Sequence, residues 1–401
     1  VSYLLMRDAF AKVLSPLKEC PAATPGSTPP CYDWTKGAAK LYPVNWRTYV
    51  GYRGLPDSTN PVVYDVSRPD LITLTATNWA NDLPFSVADV ESPSARRARV
   101  CEAKLRTVQL LYFIQSEVDT SWSVTTDQEF DTAYDPATEC ANIAPELRAI
   151  TRHFPPIPYV REGRRLVGVE TLTGADIYRS GTPAVARRRF TNALAMGDYG
   201  ADLHGCREDR MLESPETMSD IPSGSGTGPF QVPMGVFIPA TVDGFLVAEK
   251  NLSVTRIANG AIRLQPITMM TGQAVGAIAA LSIARGIAPR ALPAIPEQDV
   301  LARAGLRIAQ EGASDVLTPE VWAAAQLAAV HDIMAGYPDG TFRPASVVSP
   351  AEAAVILATA FAVASDPSSG TGASEPPVAP NAPVTRGELA ITVARMLLGA
   401  H

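Results

Sequence analysis

VAEKNLSVTRIANGAIRLQPITMMTGQAVGAIAALSIARG, residues Val247 to Gly286, decides how the rest of the chain is read. A short apolar run, Phe245 to Ala248, reads as a strand and leads into a polar turn at Glu249-Lys250-Asn251. The chain then crosses Ile257-Ala258-Asn259-Gly260, reaches Arg263-Leu264-Gln265-Pro266 and enters a predicted helix. Pro266 lies near the first turn and Gly286 just past the end, the asymmetry that helix start and stop signals follow. Gly272, Gly276 and Ala280 recur every four residues, so one stripe of this helix is nearly bare backbone and admits a close neighbour. Its amino end carries unpaired N–H groups and the positive end of the helix dipole, which suits an electron-rich or anionic ligand.

The stretch resembles the C-terminal flavin-contacting segment of FAD-dependent oxidoreductases of the glutathione-reductase-like class. It is similar to the pattern AEKN…ThIANGATRLQPvtMlTGQAaGalAA of a bacterial FAD-dependent oxidoreductase family, with Arg256 where a His is common and Ile262 where a Thr is common. The resemblance implies FAD as cofactor, with the helix amino end against the N1/C2=O side of the isoalloxazine. Carried over residue by residue, it implies cofactor contacts at Asn259, Gly260, Arg263, Leu264, Gln265, Thr268 and Gly272. A small-residue helix packed on a sheet also accounts for the glycine stripe, but not for the polar run before it.

Further stretches carry the same resemblance. Asn78-Trp79-Ala80-Asn81-Asp82 is similar to an Asn/Trp/Asn-Asp turn of the family's middle domain, and AKLRTVQLLYFIQSE, on a helix expected over 94–118, to AkLRtLaliYylQtE. Arg96, Arg97 and Arg99 open that helix, against its dipole, and are expected to have partners elsewhere. His153 to Ile177 contains PPIPYVREGRR, similar to lPpipYiREsRRi. Tyr159-Val160 and Leu166 to Val169 read as strand flanking the charged turn Arg161 to Arg165. That turn is either a surface hairpin or a substrate-side element in which Arg161 or Arg164 meets a ligand. ALAMGDYGADLHGC, Ala193 to Cys206, is similar to a family stretch ending in GDY…D.HG and holds His204, a residue type suited to proton transfer near neutral pH. The glycines from Gly224 to Gly228 precede Pro229 rather than a helix and read as a loop, not a phosphate cradle.

Composition narrows the functional classes. The 401 residues allow two or three domains, and a net charge of −7 leaves no basic surplus for nucleic acid. The five cysteines form no CxxC pair, and the four histidines no close ligand spacing, so no metal site is expected. Cys20 and Cys31 flank a Pro/Thr/Ser/Gly loop that a disulfide would close in an oxidising compartment; the pairing stays open. No apolar run reaches the roughly 18 to 20 residues of a membrane span, and Ala274 to Ala284 is too short. No GxGxxG follows a strand, although flavoproteins of this class hold the ADP half of FAD with one. With Val1 opening mid-pattern, that fingerprint is expected upstream in a longer gene product or on an N-terminal partner chain.

Beyond a Pro-rich stretch at 286–296 and a helix expected over Val300 to Gln310, Ser314 to Phe361 resembles an S-layer homology repeat, a helical module that attaches proteins to cell-envelope polysaccharide. Asp315, Trp322 and the run Gly336-Tyr-Pro-Asp-Gly-Thr-Phe-Arg-Pro344 carry that resemblance, and Asn381 to Glu388 matches the end of a second repeat. The module's Thr-Arg-Ala-Glu motif stands here as Ser349-Pro350-Ala351-Glu352. The expected fold is α/β. It comprises an α+β substrate domain over 1–235, the C-terminal part of an FAD-binding domain over 236–290, a linker over 291–313, and a small all-α S-layer homology-like module over 314–401. The expected function is that of a cell-envelope FAD-dependent oxidoreductase acting on a small organic molecule. Arg161, Arg164 and His204 are its substrate-side candidates, and 314–401 contacts envelope polysaccharide or protein. The alternative is a non-catalytic surface-layer component built on an oxidoreductase-derived body.

Overall fold

The computed structural model describes residues 83–113, 115–116, 123–124, 140–155, 158–180, 185–186, 188–202, 226–316, 318–366 and 380–399. The readings made for residues 1–82, the Cys20–Cys31 loop and His204 lie outside them. The chain divides into two compact units, Val1–Val160 and Arg161–His401.

In the first unit, α1 (Val87–Glu91) begins at a capping box in which Asp89 and Ser86 satisfy each other's backbone N–H groups. Those hydrogen bonds, with the nearby Arg99, hold the Asp89 carboxyl below its usual range. Helix α2 (Pro93–Phe113) opens with the arginines that oppose its dipole, and Asp89 is a partner of two of them, Arg96 and Arg99. Arg99 Nε lies 3.2 Å from the Asp89 carboxylate, and Arg96 Nε donates to the Asp89 carbonyl at 3.2 Å. Cys101, Lys104 and Val108 form its buried edge, with Leu110. A disulfide joins Cys101 to Cys140 and packs with Ile143 and Leu105. A 3-10 helix, Pro145–His153, follows.

The second unit has short ladders and one apolar core running from Leu172 to Leu397. A short helix, α3 (Gly174–Ile177), precedes β1 (Arg179–Ser180), which pairs antiparallel with β2 (Val185–Ala186). The central ladder is β3 (Ala193–Gly197) against β4 (Phe230–Pro233), antiparallel with a bulge near Ala193–Ala195. All nine of its residues are buried. Gly197 is required there, because a Cβ would stand 2.3 Å from the Phe230 ring. Around Val167 and Val169 the expected strand is an extended segment bonded to 238–240, with Val169 N donating to Ile238 O and Ala240 N to Val167 O. Phe245 to Ala248 is not a strand; only Val247 N reaches the Phe237 carbonyl.

The stretch Ile257 to Gly260, for which no helix was expected, is helical: α4 (Arg256–Ile262) is capped by the Thr255 hydroxyl and buried along its whole length. Helix α5 (Gln265–Arg285) follows at once, with Pro266 in its first turn and Gly286 as a left-handed cap at φ 63°. Ile267, Thr271, Ala274, Ala277 and Ile278 face the core. Met269 and Ile283 are 71% and 83% exposed on the other side, with Gly272 and Gly276 between them. This helix is long and apolar enough to cross a membrane by length and composition only, a property it shares with core helices, whereas no run in the sequence was expected to reach that length. Its inner face packs on β3 and on α6 (Ala294–Arg303). Helix α6 begins and ends earlier than expected, because Pro293 serves as its N-cap and Gly305 follows its end.

Beyond α6 lie α7 (Pro319–Val330), α8 (Pro350–Ala364) and α9 (Arg386–Leu397), and a two-residue ladder, β5 (Val347–Val348) with β6 (Val384–Thr385), which an all-helical reading did not include. Helix α7 packs between α6 and α9 and is buried at every position from Ala323 to Val330. Four buried glutamines tie this region to the central ladder. Gln231 accepts from Phe190 N and donates to Ile308 O, at 2.8 and 3.0 Å. Gln326 accepts from Ile308 N and Ala309 N, and Gln310 donates to Arg188 O. Gln298 donates to the carbonyls of Thr191 and Ala193 while its own oxygen faces His331 Nε2 at 2.9 Å. Outside them, Arg189 pairs with Glu311 and Asp332.

Candidate functional site

Arg256, Asn259 and Arg263 are spaced i, i+3 and i+7, so they share one face of α4 and its C-cap. The helix has no solvent side, and this polar stripe must therefore find partners within the protein or in a ligand. At one end Arg256 Nε lies 3.7 Å from Glu162, which Arg165 also pairs at 3.4 Å. At the other end Arg263, 4% exposed, donates through Nη2 to the Asp202 carbonyl at 2.7 Å and to its carboxylate at 3.2 Å. Asp202 N donates to the Gly260 carbonyl, and Arg161 Nη1 stands 3.9 Å from the Asp202 carboxylate. Asp202 thus joins three stretches that the sequence singled out separately: the charged turn, the Gly-Asp-Tyr segment and the approach to α5.

Between these two anchored ends sits Asn259. It is fully buried, and among the described residues neither its Oδ1 nor its Nδ2 has a hydrogen-bond partner. Arg263 Nη1 is likewise buried and unpartnered. The stripe therefore offers two unused donors and one unused acceptor. Each such group costs about 1–3 kcal/mol when left buried and unpaired, so the arrangement fits a polar ligand group or ordered water.

The other sequence candidates fall on either side. Arg164 contributes its carbonyl, which accepts from Asn251 Nδ2 at 2.6 Å, while Leu166 N donates to the Asn251 carbonyl. Leu264 is the N-cap of α5 and supplies no side-chain cap, so the first-turn N–H groups are not closed off by it. Thr268 turns its hydroxyl back to the Gln265 carbonyl at 2.9 Å. At Gly272 and Gly276 an added Cβ would meet no described residue within 4 Å. A glycine stripe that no described residue crowds, a helix amino end and unpartnered polar groups fit a flat, electron-rich group such as a flavin. Asp202, Glu162 and Arg256 were missed as site residues; the polar spacing of 256, 259 and 263 is the signal that would have found Arg256.

In the C-terminal region the GYPDGTFRP run is a loop fixed from both sides. Asp315 accepts from Phe342 N and Arg343 N at 2.6 and 2.7 Å, and Phe342 is buried. Arg343 stacks 3.9 Å over the Tyr337 ring, and Arg386 reaches the carbonyls of Phe342 and Ala335. Ser349 with Glu352, and Thr385 with Glu388, are capping boxes, so these residues have a local role in starting α8 and α9.

A family model described as FAD dependent oxidoreductase matches residues 32–302, and one described as S-layer homology domain matches residues 318–354. No curated protein and no solved structure matches the chain. Because the first match covers more than half of the 401 residues, the chain belongs to the FAD-dependent oxidoreductase family, and it carries an S-layer homology segment behind that match.

Proposed function

We propose that the protein is a flavoprotein oxidoreductase of the cell envelope that oxidises or reduces a small organic molecule. The observation that carries this reading is the set of unpartnered polar atoms on Asn259 and Arg263, immediately ahead of α5 in a chain of this family. When bound, FAD supplies reversible two-electron chemistry. The amino end of α5 stabilises negative charge that develops beside it, through first-turn N–H groups and the helix dipole. Asn259 offers a donor and an acceptor to the cofactor's polar edge. Arg263, held from behind by Asp202, contributes a fixed cation. Gly260, Leu264, Gln265, Thr268 and Gly272 complete the contact surface. Arg161 and Arg164 are assigned to orienting the substrate, and His204, by its chemistry alone, to proton transfer.

Residues 314–401 are proposed as a largely helical module that contacts envelope polysaccharide through the Tyr337–Arg343 loop. Domain limits at 235, 290 and 313 belong to the same proposal. Support for an extracytoplasmic setting comes from the S-layer homology match and from the Cys101–Cys140 disulfide, a bond that persists in oxidising compartments.

The test is a titration of the purified, intact protein with FAD, followed by visible absorption and flavin fluorescence. Stoichiometric uptake and bleaching by dithionite are expected. A colourless protein that fails to take up added FAD would overturn the reading and favour a non-catalytic envelope component.

A further inference from the structure

One buried acid takes no part in the chemistry proposed above. Glu297 lies on the inner face of α6 with Ile295, Gln298, Leu301 and Ala302. It is 0% exposed, and neither of its carboxyl oxygens has a hydrogen-bond partner among the described residues. The residue beside it shows how a polar side chain is satisfied at this place. Gln298, also buried, donates to the carbonyls of Thr191 and Ala193 and faces His331 at 2.9 Å. Glu297 gives up its water and receives no such bonds. Stranding an ionised carboxylate in this way costs far more than stranding a neutral carboxyl, so the packed state of α6 selects the form that carries the proton.

Helices α5 and α7 and strand β3 pack on α6, and the charges they bring do not offset this. From α5 comes Arg285, which favours the ionised form together with the carboxyl's own backbone N–H, and the two fall short of the effect of burial. Helix α7 brings Glu320 in its first turn, whose sign is wrong for stabilising a carboxylate, and His331 as its C-cap, whose ring bonds to Gln298. Just beyond it, Asp332 and Glu311 share Arg189. On α6 itself Asp299 and Arg303 pair with each other, and β3 has no titratable residue.

We propose that Glu297 is a proton-held latch at the joint of α6 with α5 and α7: with its proton it lies within that packing, and without it α6 must part from its neighbours to reach water. Glu297 falls in the oxidoreductase match and α7 in the S-layer homology match, so the latch acts where the two adjoin. The S-layer homology segment is therefore held firmly on the oxidoreductase body in acid, and its hold weakens as pH rises to neutral. Burial pushes the Glu297 carboxyl up to about 7 from 4.5, in line with this. A carboxyl raised on folding contributes stability that is complete below 4.5, declines as pH rises, and is lost beyond about 7.

Hydrogen exchange read by mass spectrometry on the intact chain tests this, using peptides that span α6 and α7, from pH 4.5 to beyond 7. The opening constant of the unaltered chain is divided by that of Glu297→Gln, which keeps the shape and removes the ionisation, so that the other titrating groups cancel. The ratio is expected to climb by up to tenfold per pH unit between 4.5 and 7 and to level off above. Glu297→Leu removes the carboxyl altogether and is expected to give the same climb; it decides alone if the Gln variant does not fold. A level ratio, meaning that the buried carboxyl stays ionised on a partner such as trapped water or Arg285, would overturn the proposal, as would a ratio that falls with rising pH.

Discussion

Asn259 separates stability from binding at a single residue. Its amide is buried and unpartnered among the described residues, so Asn259→Ala removes no hydrogen bond to any of them. We expect the unliganded chain to unfold at the same or slightly higher denaturant concentration, and FAD affinity to fall about tenfold, the worth of roughly one hydrogen bond. Equal loss in both measurements would place the amide in the fold rather than at a ligand. Arg263 is different, because one nitrogen, Nη2, is committed to two oxygens of Asp202. A double-mutant cycle between Arg263→Ala and Asp202→Ala should return a coupling of about 2 kcal/mol in denaturant unfolding, reduced from the fully buried case because Asp202 reaches solvent.

Helix α5 was legible in the sequence because its limits are local chemistry: Pro266 in the first turn, Gly286 in the left-handed cap. Helix α4 was not, since a helix buried on every side shows no amphipathic period and its polar residues resemble a turn. Strands failed for another reason. Ladders of two residues, and single bridges such as Gly168 with Pro239, depend on distant partners rather than on alternation. The Cys101–Cys140 pairing was equally hidden, because spacing along the chain does not name a partner. At this scale the exposed stripe of α5 makes its own prediction. At Gly276 an added Cβ meets no described residue and Gly276→Leu improves helix propensity, so stability should rise by up to about 1 kcal/mol. FAD uptake should fall sharply if the ring lies along the stripe. Thermal unfolding and flavin titration of the same preparation check both.

Across the second unit, the C-terminal helices complete the core rather than hang from it. A chain ending at residue 313 would strip α7 from α6, unpair the backbone N–H groups of Ile308 and Ala309, and remove Asp332 from Arg189. We expect such a chain to lose cooperative unfolding by circular dichroism, so truncation cannot report on envelope attachment. Tyr337→Ala, in the exposed loop, is the cleaner probe: envelope sedimentation should drop while the unfolding midpoint moves little. In the first unit, the disulfide closes a loop of 39 residues, and its reduction should cost that unit about 4 kcal/mol by loop entropy, seen as a lower midpoint under reductant.

The glutamine bridges have a mechanical consequence. Gln231 and Gln326 hold the backbone of Ile308 and Ala309 from the central ladder and from α7, while Gln298 and Gln310 hold the backbone of Ala193 and Arg188. A protein held at a surface through its S-layer homology segment would therefore act as a bracket, not a float on a line. Tension or shear at the attachment point would load the α6–α7 joint directly, and the stretch from Arg256 to Gly286 would keep one fixed bearing to the wall, whatever moves around it.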